Sequence, residues 1–117
     1  MKATIGAVNY EAQNCVAIQT GNTMLIQGMG NSTMIPVMPY IAITVNNYYA
    51  GVDTVKFDST NRTGFAAYYT NSATHMSKSG LVFFNTVSSM SLSGTFQFTC
   101  ADSTEVTSGT FVARRMY

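Results

Sequence analysis

Apolar and polar residues alternate along most of this chain, and this two-residue period most limits the folds it can adopt. Side chains on a β-strand point alternately to opposite faces, whereas a helix repeats every 3.6 residues, and no helical stripe persists here beyond two turns. Clusters of Asn, Gly, Ser and Asp interrupt the alternation at regular intervals. The predicted strands cover residues 3–9, 12–19, 23–29, 39–47, 53–58, 64–70, 80–86, 92–100 and 104–113.

The length predicts a single domain. A chain of 117 residues buries about two-thirds of its unfolded surface on folding, which is enough for one core. Many short strands at this spacing are typical of an antiparallel sandwich or barrel. We therefore predict an all-β fold, a single-domain antiparallel β-sandwich of the jelly-roll type with about 8–9 strands, spanning residues 1–117.

Two segments carry more specific predictions. Val106 and Phe111 are five residues apart, so a regular strand would send them to opposite faces. One extra residue at Ser108-Gly109 would return both to the core, and glycine tolerates the positive φ that such a β-bulge needs. The segment Leu81-Val82-Phe83-Phe84 is apolar on both faces. It is either a central strand covered on both sides or a strand whose outer face meets another surface.

The two cysteines, Cys15 and Cys100, could form one disulfide, but the alternation disfavours it. Phe96, Phe98 and Cys100 share one face, which must be the core face. Around Cys15 the apolar phase is taken by residues 12, 16 and 18. We therefore expect Cys15 to point outward and Cys100 inward, as two unpaired thiols, unless a bulge intervenes.

Low charge excludes several classes of partner. Charged residues make up 9% of the chain and the formal net charge is +1. A nucleic-acid-binding protein depends on a basic surface, and the one basic pair here is Arg114-Arg115, so we expect no nucleic-acid partner. No run of 18 apolar residues is present, so we also expect no transmembrane segment.

Few residues could carry catalysis or hold a metal. The single histidine, His75, lies in a predicted polar loop, and a Ser–His–Asp triad would need it together with Asp53, Asp58 or Asp102 and a serine. No G-x-S-x-G nucleophile motif is present. One histidine and two cysteines of mismatched strand phase do not form a recognisable metal-ligand set. We expect no enzymatic activity, no metal and no cofactor.

Two tyrosine doublets are the candidate binding residues. Tyr48-Tyr49 and Tyr68-Tyr69 lie in predicted strands or at their ends, so each doublet should direct one ring into the core and the other outward. An exposed tyrosine beside Asn and Thr could stack on a sugar and hydrogen-bond its hydroxyl groups. Alternatively, these rings form cross-strand pairs that stabilise one face of the sheet.

The C-terminal hairpin resembles that of a known domain family. Residues 92–98 (LSGTFQF) and 106–111 (VTSGTF) are similar to the "sGtFsF … vTnGtF" hairpin that closes β-sandwich domains of uncharacterised Bacteroidota lipoproteins. Residues 79–83 resemble the strand that precedes this hairpin in the family. The resemblance implies a secreted, periplasmic or outer-surface β-sandwich of unassigned role, although Cys15 lacks the preceding apolar stretch of a lipobox.

These observations favour a non-catalytic accessory or binding module that contacts a glycan or a protein at the cell surface through an exposed sheet face. The alternative is a structural subunit that assembles with copies of itself into a filament, a shell or a larger surface complex. Low charge removes the repulsion that keeps copies apart. Residues 3–8 or 110–117 could then add to the sheet edge of a neighbour, with Arg114 and Arg115 opposing such association.

Overall fold

A computed structural model describes residues 1–29, 39–48, 51, 53–58 and 63–116. Over these residues the chain is all-β, as the alternation predicts, and it contains ten strands and no helix. The strands are β1 (Lys2–Ile5), β2 (Val8–Glu11), β3 (Asn14–Thr20), β4 (Thr23–Met29), β5 (Tyr40–Val45), β6 (Thr54–Asp58), β7 (Gly64–Tyr69), β8 (Thr74–Val87), β9 (Ser91–Cys100) and β10 (Glu105–Met116).

Seven of these strands close into a barrel. Neighbours pair in the order β10, β3, β4, β5, β7, β8 and β9, and β9 pairs again with β10 to complete the ring. All of these pairs are antiparallel except β3 with β10, which run parallel. The β1–β2 hairpin extends the sheet from β10, and β6 extends it from β8. The structure thus has one continuous closed sheet where the sequence pattern predicted two separate sheets.

Two long strands, β8 and β10, change neighbours along their length. On the edge away from β9, β8 pairs with β7 through residues 74–76 and with β6 through residues 79–83. Likewise, β10 pairs with β1 through residues 106–110 and with β3 through residues 114–116. A strand that changes neighbours connects two layers of a sheet. The barrel is accordingly flattened, with extents of 36 × 34 × 21 Å.

The core fills the space between these layers. Apolar side chains at alternate positions of the ring strands point inward, and aromatic rings from β6, β8, β9 and β10 contact one another there. The alternate residues of the same strands point to the outer face of the barrel, where Val16, Ala42 and Ala67 are nevertheless buried. The largest fully buried side chains are Phe57, Met24, Ile26, Ile41, Ile43, Leu92, Val45, Val82, Val106 and Cys100.

The predicted β-bulge is present, but the roles of its two residues differ from the prediction. The β9–β10 register shifts between Val106 and Gly109, and both Val106 and Phe111 are buried. Ser108, not the glycine, takes the positive φ of 54°. Gly109 is required for space instead, because a Cβ atom there would lie 2.6 Å from the Phe96 carbonyl oxygen and 2.5 Å from its ring.

Other local predictions were wrong. Residues 3–9 form the β1–β2 hairpin, which turns at Gly6 with a φ of 59°. The polar segment predicted as a loop up to residue 78 becomes strand from Thr74 onward. The ends proposed for edge association are not free edges, because β1 pairs with both β2 and β10, and β10 pairs with β9, β1 and β3.

The predicted orientation of Cys15 was also wrong. Residues 12 and 13 separate β2 from β3, and this break resets the alternation so that Cys15 and Ala17 point into the core. Cys15 and Cys100 are therefore both buried, and both are free thiols in the structure.

The segment Leu81-Val82-Phe83-Phe84, which is apolar on both faces, lies in β8. Val82 and Phe84 are buried, while Phe83 is exposed on the outside of the barrel.

Candidate functional site

The structure places the two tyrosine doublets at opposite ends of the barrel. Tyr48 follows the end of β5 where Val45 pairs with Gly64, whereas Tyr68 and Tyr69 lie at the other end of the β5–β7 pair. The Tyr48 ring is buried, contacts Phe84 edge-on at 6.2 Å and lies under the Arg115 guanidinium at 5.9 Å. It is therefore a core residue. Its neighbour Tyr49, also predicted as a binding residue, lies outside the described residues.

A stacked pair of tyrosines lies on the outer face of the barrel. Tyr69 of β7 is the cross-strand neighbour of Tyr40 of β5, and their ring centroids are 4.7 Å apart with planes 20° from parallel. Both rings are half-buried. Burial raises the pKa of Tyr69, and the nearby Tyr40 phenol raises it further. The Tyr69 hydroxyl thus stays protonated at neutral pH and can donate a hydrogen bond.

Tyr40 was not among the residues predicted from the sequence. Its partnership with Tyr69 depends on the register between β5 and β7, which residue types alone do not determine. In the Tyr68-Tyr69 doublet, Tyr69 points outward and Tyr68 packs against the core, in agreement with the expectation of one ring on each side. The pairing also agrees with the alternative interpretation, in which cross-strand tyrosines stabilise the sheet.

The stacked pair belongs to an uncharged surface, which we call the outer tyrosine face. It consists of the outward-pointing residues of neighbouring strands β3, β4, β5, β7 and the start of β8. Antiparallel sheets usually present polar residues on the side away from the core, but here Phe65 and Met76 are 36% and 41% exposed. The members of this face are Val16, Ile18, Leu25, Gln27, Tyr40, Ala42, Thr44, Phe65, Ala67, Tyr69 and Met76.

On the inner side of β7, the Tyr68 ring contacts His75, the single histidine of the chain. Tyr68 pairs with His75 of β8, and the two rings stack with centroids 5.6 Å apart. The His75 Nδ1 atom lies 2.5 Å from Asp102 Oδ2, while Asp102 Oδ1 accepts the Thr104 backbone N–H at 3.1 Å. Hydrogen bonds from Thr104, and then from His75, hold the pKa of Asp102 below its usual value. His75 is therefore a fixed strand residue and not the solvated loop residue that the sequence suggested.

Two of the groups considered for a catalytic triad are thus in contact. The Cys100 thiol donates to the His75 backbone carbonyl at 3.6 Å. Burial, with a smaller effect of the Asp102 charge, raises the pKa of Cys100 to about 11, so the thiol stays protonated at neutral pH. Across the described ranges, no serine hydroxyl hydrogen-bonds to the His75 ring, and no three His, Cys, Asp or Glu side chains cluster as metal ligands would.

A crevice of about 240 Å³ opens elsewhere on the barrel, at the junction of β3, β9 and β10. It lies where β10 changes neighbours: β1 pairs with β10 as far as Thr110, and β3 pairs with it from Arg114 onward. No sequence motif pointed to this crevice, since its walls come from three distant segments of the chain. We call it the Arg114 crevice; its lining residues are Gln13, Asn14, Cys15, Val16, Met90, Ser91, Val112 and Arg114.

Comparison with known proteins gives no match for this chain, whether with family models, with curated proteins or with solved structures. Its function must therefore be inferred from its own residues. Within the part of the chain that the structure describes, no helix has the length and apolar character needed to cross a membrane.

Proposed function

We propose that this protein is a non-catalytic binding module of the cell envelope or outer surface, and that its outer tyrosine face contacts a glycan. The observation that carries the proposal is the stacked Tyr40–Tyr69 pair, which points away from the core on an uncharged surface. The extracytoplasmic location rests on the low charge of the chain and on the resemblance of residues 79–113 to the lipoprotein domains.

The chemistry of the tyrosine pair suits a sugar. Each ring uses one of its two sides in the stack, and because both rings are only half-buried, their exposed parts can contact the C–H groups of a pyranose. The phenol hydroxyls supply hydrogen bonds at the rim of the same rings, since tyrosine combines an apolar body with a polar tip. The amide of Gln27 and the hydroxyl of Thr44 lie on the same face, and a few polar groups on an apolar surface are typical of ligand sites.

The test is binding of the full chain to a panel of polysaccharides, measured by affinity electrophoresis and then by calorimetry on any that bind. We expect Tyr69→Ala and Tyr40→Ala each to weaken binding about tenfold or more, because each removes a stacking surface. Phe83→Ala is the matched control, since it removes an exposed ring from the part of β8 that pairs with β6, outside this face. Equal binding by Tyr69→Ala and the unaltered protein, or no polysaccharide bound at all, would contradict the proposal.

The exposed Phe65 and Met76 favour a second candidate, a structural subunit that associates with copies of itself through the same face. Its test is solution mass by light scattering over about a hundredfold concentration range. A subunit should exceed the monomer mass of 12.7 kDa without any ligand, and Phe65→Lys should return it to the monomer by placing a charge on the face. A monomer at every concentration excludes this candidate.

A further inference from the structure

We propose that the Arg114 crevice binds a small carboxylate that carries a short apolar group, with Arg114 as the ion-pairing residue. This inference goes beyond the proposed function and does not depend on it, because the crevice uses other residues than the Tyr40–Tyr69 pair.

The shape of the crevice follows from the closure of the barrel. On one edge of β10, β1 pairs as far as Thr110 and β3 begins at Arg114, so residues 111–113 have no strand partner there. Gln13 and the start of β3 border this gap, and on the opposite side of β10 Met90 and Ser91, the first residue of β9, complete the lining of the crevice. The volume of 240 Å³ is about eight times the ~30 Å³ that one water occupies in the liquid. It therefore has room for roughly eight non-hydrogen atoms.

The charge of the crevice selects an anion. Arg114 is exposed and is the single charged residue among those that line it. Over the described ranges of the chain, no carboxylate lies within ion-pairing distance of Arg114. Its neighbour Arg115 differs, because that guanidinium already donates to the Ser88 carbonyl at 2.9 Å and to Gln19 Oε1 at 3.0 Å. The planar guanidinium of Arg114 can therefore accept a carboxylate in a two-pronged hydrogen-bonded pair.

The walls of the crevice select an apolar group on that anion. Met90 is 75% exposed and Val112 is 71% exposed, the two most exposed large apolar side chains on this side of the barrel. Val16, which is 3% exposed, adds a further apolar surface to the lining of the crevice. Burying these surfaces against a hydrocarbon is favourable, whereas a doubly charged, strongly hydrated phosphate would lose hydration against them.

Such a ligand has two possible sources: a free short-chain fatty acid, or the C-terminal carboxylate of a peptide that ends in an apolar residue. Hexanoate and N-acetyl-leucine represent them as probes. Binding to the ¹⁵N-labelled full chain is followed through the backbone amide signals of Ser91, Val112 and Arg114. We expect a dissociation constant on the order of 1 mM for the better probe, in view of its few atoms. Tighter binding of hexanoate indicates the fatty acid, and tighter binding of N-acetyl-leucine indicates the peptide.

The variants separate this site from non-specific adsorption. Arg114→Gln should weaken binding about tenfold or more, while Lys78→Gln, which removes one positive charge from an exposed position on β8, should leave it unchanged. Uncharged 1-hexanol should bind less tightly than hexanoate. Tyr69→Ala should not affect the carboxylate, which keeps this test distinct from the glycan test. The proposal is overturned if neither carboxylate, at about 10 mM, shifts any of the crevice signals. It is also overturned if the Arg114→Gln variant binds the carboxylate as tightly as the unaltered protein does, or if 1-hexanol binds the unaltered protein as tightly as hexanoate does.

Discussion

Substituting Gly109 by alanine is a direct test of the β9–β10 bulge. Gly109 pairs with Phe96, and an added Cβ would lie 2.6 Å from the Phe96 carbonyl oxygen and 2.5 to 2.6 Å from two of its ring carbons. The ring alone could rotate, but the carbonyl belongs to the backbone of β9 and is fixed by neighbours on both of its edges. Accommodating the methyl group therefore requires two central strands to move apart.

The expected cost follows from that displacement. Overpacking a well-packed site typically costs about 1–3 kcal/mol, and the backbone contact places Gly109→Ala toward the upper end, at about 2–3 kcal/mol. For a domain of this size the melting temperature should fall by roughly 10 °C. The adjacent Ser108→Gly serves as the control. It relieves a left-handed φ of 54°, worth about 1 kcal/mol, but adds about as much unfolded-state freedom, so stability should change little.

Urea unfolding followed by circular dichroism measures both variants, with tyrosine fluorescence as a second probe because the chain has no tryptophan. The expected result is a large loss of unfolding free energy for Gly109→Ala and almost none for Ser108→Gly. A loss below about 0.5 kcal/mol for Gly109→Ala, at an unchanged slope, would refute the close approach of the two strands and with it the bulge register.

Three further predictions concern groups whose environment the structure defines. The buried Tyr48 hydroxyl has no hydrogen-bond partner among the described residues, so Tyr48→Phe should raise the unfolding free energy by about 1 kcal/mol; a decrease in a thermal melt would reveal a partner. The lowered pKa of Asp102 means that its ionised form stabilises the fold above its usual value of 3.8, and that this contribution is lost as the pH falls through the lowered value. Asp102→Asn should therefore reduce the melting temperature at neutral pH but not in strong acid, and equal losses at both would contradict stabilisation by the hydrogen-bonded carboxylate. The pKa of Cys15 is raised from 9.0 to about 11, so its stabilising contribution is present below pH 9.0 and is lost as the pH rises toward 11. Between pH 9.0 and about 11, the unfolding free energy of the Cys15→Ala variant should therefore fall less than that of the unaltered protein.

Local periodicity predicted those features that depend on a few consecutive residues. Val106 and Phe111 require a bulge if both are to be buried, and the break between the predicted strands 92–100 and 104–113 followed from residue types that favour turns. The same reasoning failed at Cys15 because it extended one alternation across residues 12 and 13, where the chain passes from one strand to the next. A two-residue period predicts which face of the sheet each side chain occupies only as far as the strand continues without interruption.

The candidate sites depend instead on pairing between distant segments. The outward orientation of Tyr69 follows from alternation, but its contact with Tyr40 requires the β5–β7 register. In the same way, no pattern near residue 75 indicated that His75 would meet Asp102, which comes from the β9–β10 turn. Registers of this kind are fixed by the whole core, in which each strand must bury its apolar face against several others.

The closure of the barrel and the Arg114 crevice have one origin. The ring closes because the end of β10 leaves the β1 hairpin and runs parallel to β3, where Arg114 pairs with Val16. Two strands that follow the same edge of a third in succession leave a gap between them, and here residues 111–113 of β10 lie at that gap. In a chain with 9% charged residues, the Arg114 guanidinium lies at this crevice together with the exposed side chains of Met90 and Val112. The parallel β3–β10 pairing, which the local pattern could not reveal, thus both closes the barrel and places Arg114 at the crevice that we propose as a binding site.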